Sequence, residues 1–264
     1  MKYIGLILFD IDGVIRDVGN SYRLAVQKTV SFFCKWEPTP GDIDNLKNEG
    51  IWNNDWDLSL ELIKRYINKN NLSIKKPSRD EIINLFDKLY FGNKNLIENN
   101  NWTGFIKNEE LLVDRKFFED LSKKRIKWGF VSGAEPASAK FILENRLKLD
   151  NPPLIAMNDA PDKPNPEGFI SLASKLTSQK LGKKAPPIAY VGDTIADVKT
   201  VINARQKITN QEFISIAIAP PHLHTESVLK SRIKYEANLK NEGADFILKK
   251  LTDLNQLYKE IFNL

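Results

Sequence analysis

Two aspartates one residue apart follow the first apolar run of the chain. The run at residues 6–9 ends at Asp10 and Asp12, and Gly13 comes directly after them. Continuous apolar runs are typical of strands that are buried on both faces of a parallel sheet. Because ligand sites in such sheets lie beyond the carboxyl ends of the strands, we expect both carboxylates at such a site.

The types and spacing of these residues indicate phosphoryl chemistry. Asp10 could attack phosphorus as a nucleophile, and Asp12 could pass a proton to and from the leaving oxygen. Carboxylate oxygens are also the ligands that Mg²⁺ prefers in proteins. The alternative is a strand end that is closed by the turn-forming residues Asp and Gly.

Short apolar strands alternate with helical patterns over most of the chain. The predicted strands are 2–9, 126–131, 154–157, 188–191, 213–219 and 244–248. Alternation at this spacing predicts an α/β fold, a Rossmann-like parallel sheet with helices on both faces.

A long helical stretch separates the first predicted strand from the others. Residues 17–105 carry helical periodicities and no convincing strand pattern. Near the end of this stretch, residues 92–102 form an Asn-rich linker. We therefore predict a discontinuous core domain, 1–16 with 106–264, and a helical insert over 17–105.

Two later segments carry residues that could hold a phosphate. Ser132 and Gly133 follow the strand 126–131, where a hydroxyl and free backbone N–H groups could bind a phosphate oxygen. Lys163 precedes a helix and could neutralise both a carboxylate and a phosphoryl group. The alternatives are a simple helix cap for Ser132 and a solvated side chain for Lys163.

A second acid pair follows the strand 188–191. Asp193 and Asp197 are four residues apart at a strand-to-helix turn, a spacing that places two side chains on one helix face. Both carboxylates could then point toward the same site. The alternative is a pair of acids that only complement the dipole of the helix.

These segments together resemble the motifs of the haloacid dehalogenase-like hydrolase superfamily. Asp10-Ile11-Asp12-Gly13-Val14 resembles the first motif, Ser132 the second, Lys163 the third and Gly192-Asp193-Thr194-Ile195-Ala196-Asp197 the fourth. The helical insert, 17–105, lies where this family has its α-helical cap. The resemblance implies a phosphatase-type enzyme whose cap is inserted between the first two motifs.

The resemblance also implies a role for each matching residue. Asp10 would become a phosphoaspartate, and Asp12 would protonate the leaving group and then deprotonate water. Ser132, Gly133 and Lys163 would bind the transferring phosphoryl group. Asp12 argues against a dehalogenase, because a halide leaves without a proton. Phosphonate cleavage in this family uses a cap lysine, and no spacing singles one out here.

A magnesium ion is the cofactor that the resemblance implies. Its ligands would be Asp10, the backbone carbonyl of Asp12, and Asp193. Asp197 would bind the ion through a water molecule, or would contact the direct ligands without binding the ion itself.

The insert should determine the choice of substrate. Arg23 follows the first motif closely and could bind a phosphate or carboxylate group, although an arginine is more often a surface residue. We expect a Mg²⁺-dependent phosphatase that acts on a small phosphorylated metabolite. The alternatives are a sugar phosphomutase of the same superfamily and a catalytically idle regulatory protein on this fold.

The composition of the 264-residue chain indicates which partners and which location to expect. Its net charge is +5, but lysines are scattered among acids and no basic arm indicates a nucleic-acid partner. The apolar runs are too short for a membrane span. Cys34 is the single cysteine and excludes an intrachain disulfide, so we expect a reducing, cytoplasmic location. We expect a monomer or a homodimer.

Overall fold

A computed structural model describes residues 3–92 and 102–264. The chain divides into two compact units, Met1–Asp17 with Leu111–Leu264, and Val18–Glu110. The sequence predicts these boundaries after residues 16 and 105. Most of the predicted linker over 92–102, and the start of the predicted first strand at residue 2, lie outside the described residues.

The first unit is built on a parallel sheet. The described residues form eight strands: β1 (Gly5–Phe9), β2 (Arg16–Asp17), β3 (Glu110–Leu111), β4 (Ile126–Val131), β5 (Leu154–Ile155), β6 (Ile188–Gly192), β7 (Phe213–Ile218) and β8 (Phe246–Leu248). Six of them form one sheet in the order β5-β4-β1-β6-β7-β8, with every pair parallel, and β2 pairs with β3. The predicted α/β fold is confirmed.

Ten α-helices surround or follow these strands in the described part of the chain. They are α1 (Tyr22–Cys34), α2 (Pro40–Lys47), α3 (Asp55–Lys69), α4 (Arg79–Tyr90), α5 (Arg115–Lys123), α6 (Pro136–Lys140), α7 (Glu167–Thr177), α8 (Ile195–Lys207), α9 (Leu229–Asn241) and α10 (Leu254–Ile261). A π-helical segment, Phe141–Arg146, continues α6. Within the described ranges, every helix is too short or too polar to cross a lipid bilayer.

The central strand β1 is buried along its whole length. All five of its residues are buried, as the continuous apolar run predicts. Phe9 packs edge-on against Phe117 and Phe118 of α5, with ring centroids 5.9 and 5.8 Å apart. The same residue is in register with Phe130 of β4 and Val191 of β6. The three strands therefore end at one edge of the sheet.

The second unit is helical and has a buried polar cluster of its own. Asn54 and Ser78 cap α3 and α4 with their side chains, as such residues do at helix starts. Glu109 is buried and accepts hydrogen bonds from Ser21 Oγ at 2.7 Å and Tyr90 Oη at 2.8 Å. These bonds satisfy the carboxylate inside the unit.

Candidate active site

Three predicted site residues lie just beyond neighbouring strand ends. Asp10 follows β1, and its backbone N–H donates to the carbonyl of Val191 at 2.8 Å. Ser132 follows β4, and Asp193 follows β6. Residues that are 61 to 183 positions apart in the sequence are thus brought together by parallel pairing on both sides of β1.

Gly13 allows the turn after β1 to approach the turn after β6. Its φ angle is +75°, a conformation that glycine adopts without steric cost. A Cβ atom at this position would lie 2.1 Å from Asp193 Oδ2, far inside van der Waals contact. The glycine is therefore required both for the turn and for the position of the Asp193 carboxylate.

A cluster of three carboxylates occupies this edge of the sheet. Asp10, Asp193 and Asp197 are all buried, and each offers an oxygen within 4.8 Å of the others. Among the described residues, none donates a well-aligned hydrogen bond to Asp10 Oδ1. Buried carboxylates at such short distances repel one another unless cations compensate them. The donor set, all oxygen, fits a magnesium ion.

Lys163 supplies one compensating positive charge from within the chain. Its Nζ atom lies 3.1 Å from Asp10 Oδ1 and 2.6 Å from Asp197 Oδ1, and the side chain is buried. Burial lowers the pKa of Lys163, but the nearby carboxylates outweigh it and hold this pKa well above the usual value. Lys163 is therefore an ammonium group between two carboxylates, rather than the solvated side chain of the alternative interpretation.

The Asp10 carboxyl has an unusually high affinity for a proton. Burial raises its pKa to about 6 from 3.8, and the attraction of Lys163 opposes this shift. Repulsion from Asp197 and Asp12 adds to the increase. The single positive charge of Lys163 thus does not neutralise the three carboxylates of the cluster. A bound cation is therefore favourable there.

The predicted reason for the proximity of Asp193 and Asp197, a shared helix face, is wrong. Helix α8 begins at Ile195, so Asp193 precedes the helix and the two acids do not share a helix face. Asp197 instead folds back on the N-terminus of α8 in a capping box. Its Oδ2 atom accepts from the Thr194 N–H at 2.9 Å and from Thr194 Oγ1 at 2.6 Å.

Both oxygens of Asp197 therefore already have hydrogen-bond donors, Lys163 on one and Thr194 on the other. Burial raises the pKa of Asp197, but Lys163 and these hydrogen bonds outweigh it and lower the pKa overall. The predicted role as an indirect ligand is compatible with this geometry, because its direct partner is Lys163.

The residues predicted to bind phosphate lie around one small cavity. Ser132, Gly133 and Lys163 line it together with Asn165, and Asp10 is not among its lining residues. Ser132 Oγ accepts from the Ala134 N–H at 3.2 Å, and the Ser132 side chain is close enough to Asp10 to lower the pKa of that carboxyl. Ser132 therefore closes a turn before α6, whose N-cap residue is Glu135, and is a neighbour of the predicted nucleophile.

Arg23, predicted to bind substrate, already has an anionic partner. It lies on α1 of the helical unit, where it is buried and donates to the Asp44 carboxylate and to the Pro40 carbonyl. Asp44 compensates the guanidinium charge, and binding of substrate by Arg23 stays a prediction.

Tyr190 is a site residue that sequence reasoning missed. Its hydroxyl donates to the Val131 carbonyl at 2.6 Å and receives a hydrogen bond from Lys163 Nζ at 3.3 Å. It thereby connects the end of β4, next to Ser132, to Lys163. The only signal was a hydroxyl in an otherwise apolar strand, and a tyrosine there is most simply interpreted as a core aromatic.

Tyr190→Phe should destabilise the protein by about 1–3 kcal/mol, because the buried Val131 carbonyl loses its hydrogen-bond donor. Denaturant unfolding measures the change. Tyr3→Phe, which removes the hydroxyl of an exposed residue in the same unit, is the control and should change stability by less than about 0.5 kcal/mol. Equal stability of the two variants would contradict the assigned hydrogen bond.

The sequence model of the haloacid dehalogenase-like hydrolases matches residues 4–205 of this chain. The chain belongs to this family. The resemblance that the motifs indicate is therefore confirmed, and so is the prediction of a hydrolase at the level of the family.

One curated protein is similar to this chain in sequence. A curated imidazoleglycerol-phosphate dehydratase from Phytophthora nicotianae is 31% identical over 194 residues, which cover 73% of this chain and 40% of the relative. The chain therefore spans less than half the length of that protein.

Two solved structures cover most of this chain. Phosphatase Tt82 from Thermococcus thioreducens is 24% identical, with a TM-score of 0.56, over 80% of this chain and 92% of its own. A phosphonoacetaldehyde hydrolase-like protein from Oleispira antarctica is 16% identical, with a TM-score of 0.68, over 100% of this chain and 94% of its own. At these identities the likeness shows a common fold.

Proposed function

We propose that the protein is a Mg²⁺-dependent phosphatase that hydrolyses a small phosphorylated metabolite through a phosphoaspartate on Asp10. One observation carries the proposal: Asp10, Asp193 and Asp197 converge with Lys163 beyond the ends of β1 and β6. Stabilising charge and fixed position are the main requirements of phosphoryl transfer, and this arrangement provides both.

In the first step, a carboxylate oxygen of Asp10 forms a bond to phosphorus while the bond from phosphorus to the ester oxygen breaks. The Asp12 carboxyl gives its proton to that oxygen, so that the alcohol leaves neutral. Lys163, the Ser132 hydroxyl and the Gly133 N–H would hold the phosphoryl oxygens.

In the second step, water replaces the alcohol. The Asp12 carboxylate takes a proton from the water, whose oxygen bonds to phosphorus as the bond to Asp10 breaks. Inorganic phosphate leaves, and Asp10 is again a carboxylate and Asp12 again an acid, as at the start. The side chain of Asp12 is 27% exposed, so it is accessible to both the alcohol and the water.

A magnesium ion would be held by Asp10, the Asp12 carbonyl and Asp193. When bound, it would supply positive charge at the phosphoryl oxygens and compensate the acid cluster. Asp197 would keep Lys163 in place at 2.6 Å.

The test is a phosphate-release screen of the purified protein with Mg²⁺. The panel comprises sugar phosphates, phosphoglycolate, nucleotides and amino-alcohol phosphates. Release of inorganic phosphate from a small metabolite supports the proposal. Conversion of a sugar phosphate without phosphate release would indicate a phosphomutase instead, and no turnover of any member would favour the idle regulatory protein.

Asp193→Asn should raise the Mg²⁺ concentration for half-maximal activity at least about 10-fold, because the cation loses a charged ligand. A second readout is independent of turnover. Mg²⁺ should raise the melting temperature of the wild type, and this increase should be smaller in Asp193→Asn. Asp150→Asn, which changes an exposed carboxylate of the same unit, is the control and should behave as wild type. An unchanged Mg²⁺ requirement in Asp193→Asn would rule out this ligand.

A further inference from the structure

Arg16 is a fully buried arginine beside the proposed general acid. Its exposed fraction is 0%. Nε donates to Asp12 Oδ1 at 2.6 Å, and Nη1 donates to Ser138 Oγ at 2.8 Å. One guanidinium therefore ties the carboxylate of the first motif to α6, which follows β4 in the sequence.

The backbone of Arg16 also fixes the turn that carries Asp12. The Arg16 N–H donates to the Ile11 carbonyl at 3.1 Å, and the Arg16 carbonyl accepts from the Gly13 N–H at 2.9 Å. These bonds reach the residues on both sides of Asp12. The main chain and the side chain of Arg16 therefore both restrain Asp12.

Stability alone does not account for this pair. Moving a guanidinium out of water has an energetic cost of several kcal/mol, and replacing a buried ion pair with apolar residues of similar volume is often neutral or stabilising. The partner is a carboxylate that is 27% exposed, whose attraction is weakened by solvent. A guanidinium does, however, hold a carboxylate in one orientation better than any apolar side chain.

We propose that Arg16 is a positioning residue for Asp12. By holding Asp12 Oδ1, it directs the other carboxyl oxygen, Oδ2, toward the ester oxygen that leaves in the first step. Arg16 itself does not touch the substrate. This role rests on the proposed function, because it requires Asp12 to be the acid that protonates the leaving oxygen.

The proposal predicts a specific dependence on the leaving group. An acidic alcohol such as p-nitrophenol leaves readily without a proton. Phenol is a weaker acid, so its departure depends more strongly on protonation. A general acid contributes about 10²–10⁴-fold to rate, and only where the proton is needed. Misorientation of Asp12 should therefore slow the hydrolysis of phenyl phosphate more than that of p-nitrophenyl phosphate.

The experiment measures kcat and KM for these two esters with Mg²⁺. In Arg16→Met, kcat/KM, which covers only the steps up to loss of the alcohol, should fall at least about 10-fold more for phenyl phosphate than for p-nitrophenyl phosphate. Asp12→Asn gives the upper limit of this difference. Ser138→Ala, which removes one hydrogen bond to the guanidinium, should shift the ratio in the same direction by about 2- to 5-fold.

The matched control is Arg115→Met, which removes an exposed arginine that also pairs with an acid four residues away. It should leave both rates unchanged. Equal losses of kcat/KM for the two esters in Arg16→Met would overturn the positioning role and leave the proposed function standing. If Arg16→Met does not fold, an unchanged ratio in Ser138→Ala would overturn it. A wild type that releases phosphate from neither ester nor any member of the metabolite panel overturns the proposed function, and this inference with it.

Discussion

Asp10→Asn should abolish phosphate release and leave the protein folded. An amide of the same shape cannot attack phosphorus, and loss of a nucleophile that acts with its partners as a unit reduces kcat by more than about 10⁴-fold. The measurement is phosphate release with Mg²⁺ on the best substrate of the screen. Trapping of labelled phosphate on the wild-type protein, absent in the variant, would locate the intermediate.

The stability of Asp10→Asn separates loss of chemistry from loss of structure. The pKa of Asp10 is about 6 in the fold and 3.8 ordinarily, so the folded state binds this proton more tightly than the unfolded chain does. Between pH 4 and 6, ionisation of Asp10 therefore destabilises the wild type as the pH rises. The variant does not ionise at this position. In EDTA, its melting temperature should equal or exceed that of the wild type at pH 7.

Asp150→Asn is the control for this substitution, since its carboxylate is exposed and in the same unit. It should keep full activity. Phosphate release by Asp10→Asn at more than about 1% of the wild-type rate would overturn the nucleophile assignment.

The parts of the site that depend on strands were predictable from the sequence. Continuous apolar runs identify β1, β4 and β6, and parallel strands bring their carboxyl ends to one edge of the sheet. Asp10 and Asp193 follow two of those ends, so the pattern places both at that edge of the sheet, and their proximity depends on the observed pairing of β1 with β6. The family resemblance strengthened this interpretation and named the roles.

The partners of the side chains were not predictable in the same way. Arg16 and Tyr190 make their important hydrogen bonds to Ser138 and Val131, which are 122 and 59 residues away in the sequence. Hydrophobic periodicity reports which face of an element is buried, and it carries no information on such polar pairs. The helix start at Ile195 also displaced Asp193 from the predicted helix face, because Thr194 rather than Asp193 is the N-cap residue.

A similar limit applies to the helix that carries Ser138. The structure begins it at Pro136, as proline at the first helical position favours, but continues it from Phe141 as a π-helix. Such segments are common at functional sites, and this one follows directly on the α6 helix that holds Ser138. The anchor of Arg16 thus lies on an irregular helix that amphipathic spacing does not distinguish from a regular one.

Lys163→Met should both abolish activity and destabilise the protein. The substitution leaves Asp10 and Asp197 buried without their common counter-charge, and breaking a buried ion pair from one side costs about 3–5 kcal/mol. Denaturant unfolding in EDTA measures the stability, because a bound cation would partly replace the lost charge. Lys123→Met removes an ammonium whose side chain is 71% exposed, and this control should change stability by less than about 0.5 kcal/mol.

A second variant distinguishes the electrostatic and catalytic contributions of this lysine. In Lys163→Met/Asp197→Asn, one of the two uncompensated carboxylates becomes neutral, and the amide can still accept hydrogen bonds from Thr194. We expect the double variant to be more stable than Lys163→Met by about 1–3 kcal/mol, with a coupling that a double-mutant cycle measures. Activity should stay absent, because the double variant still lacks the ammonium group that we propose binds the phosphoryl oxygens. Recovery of activity together with stability would mean that Lys163 only compensates buried charge, and its assignment to phosphoryl transfer would then be wrong.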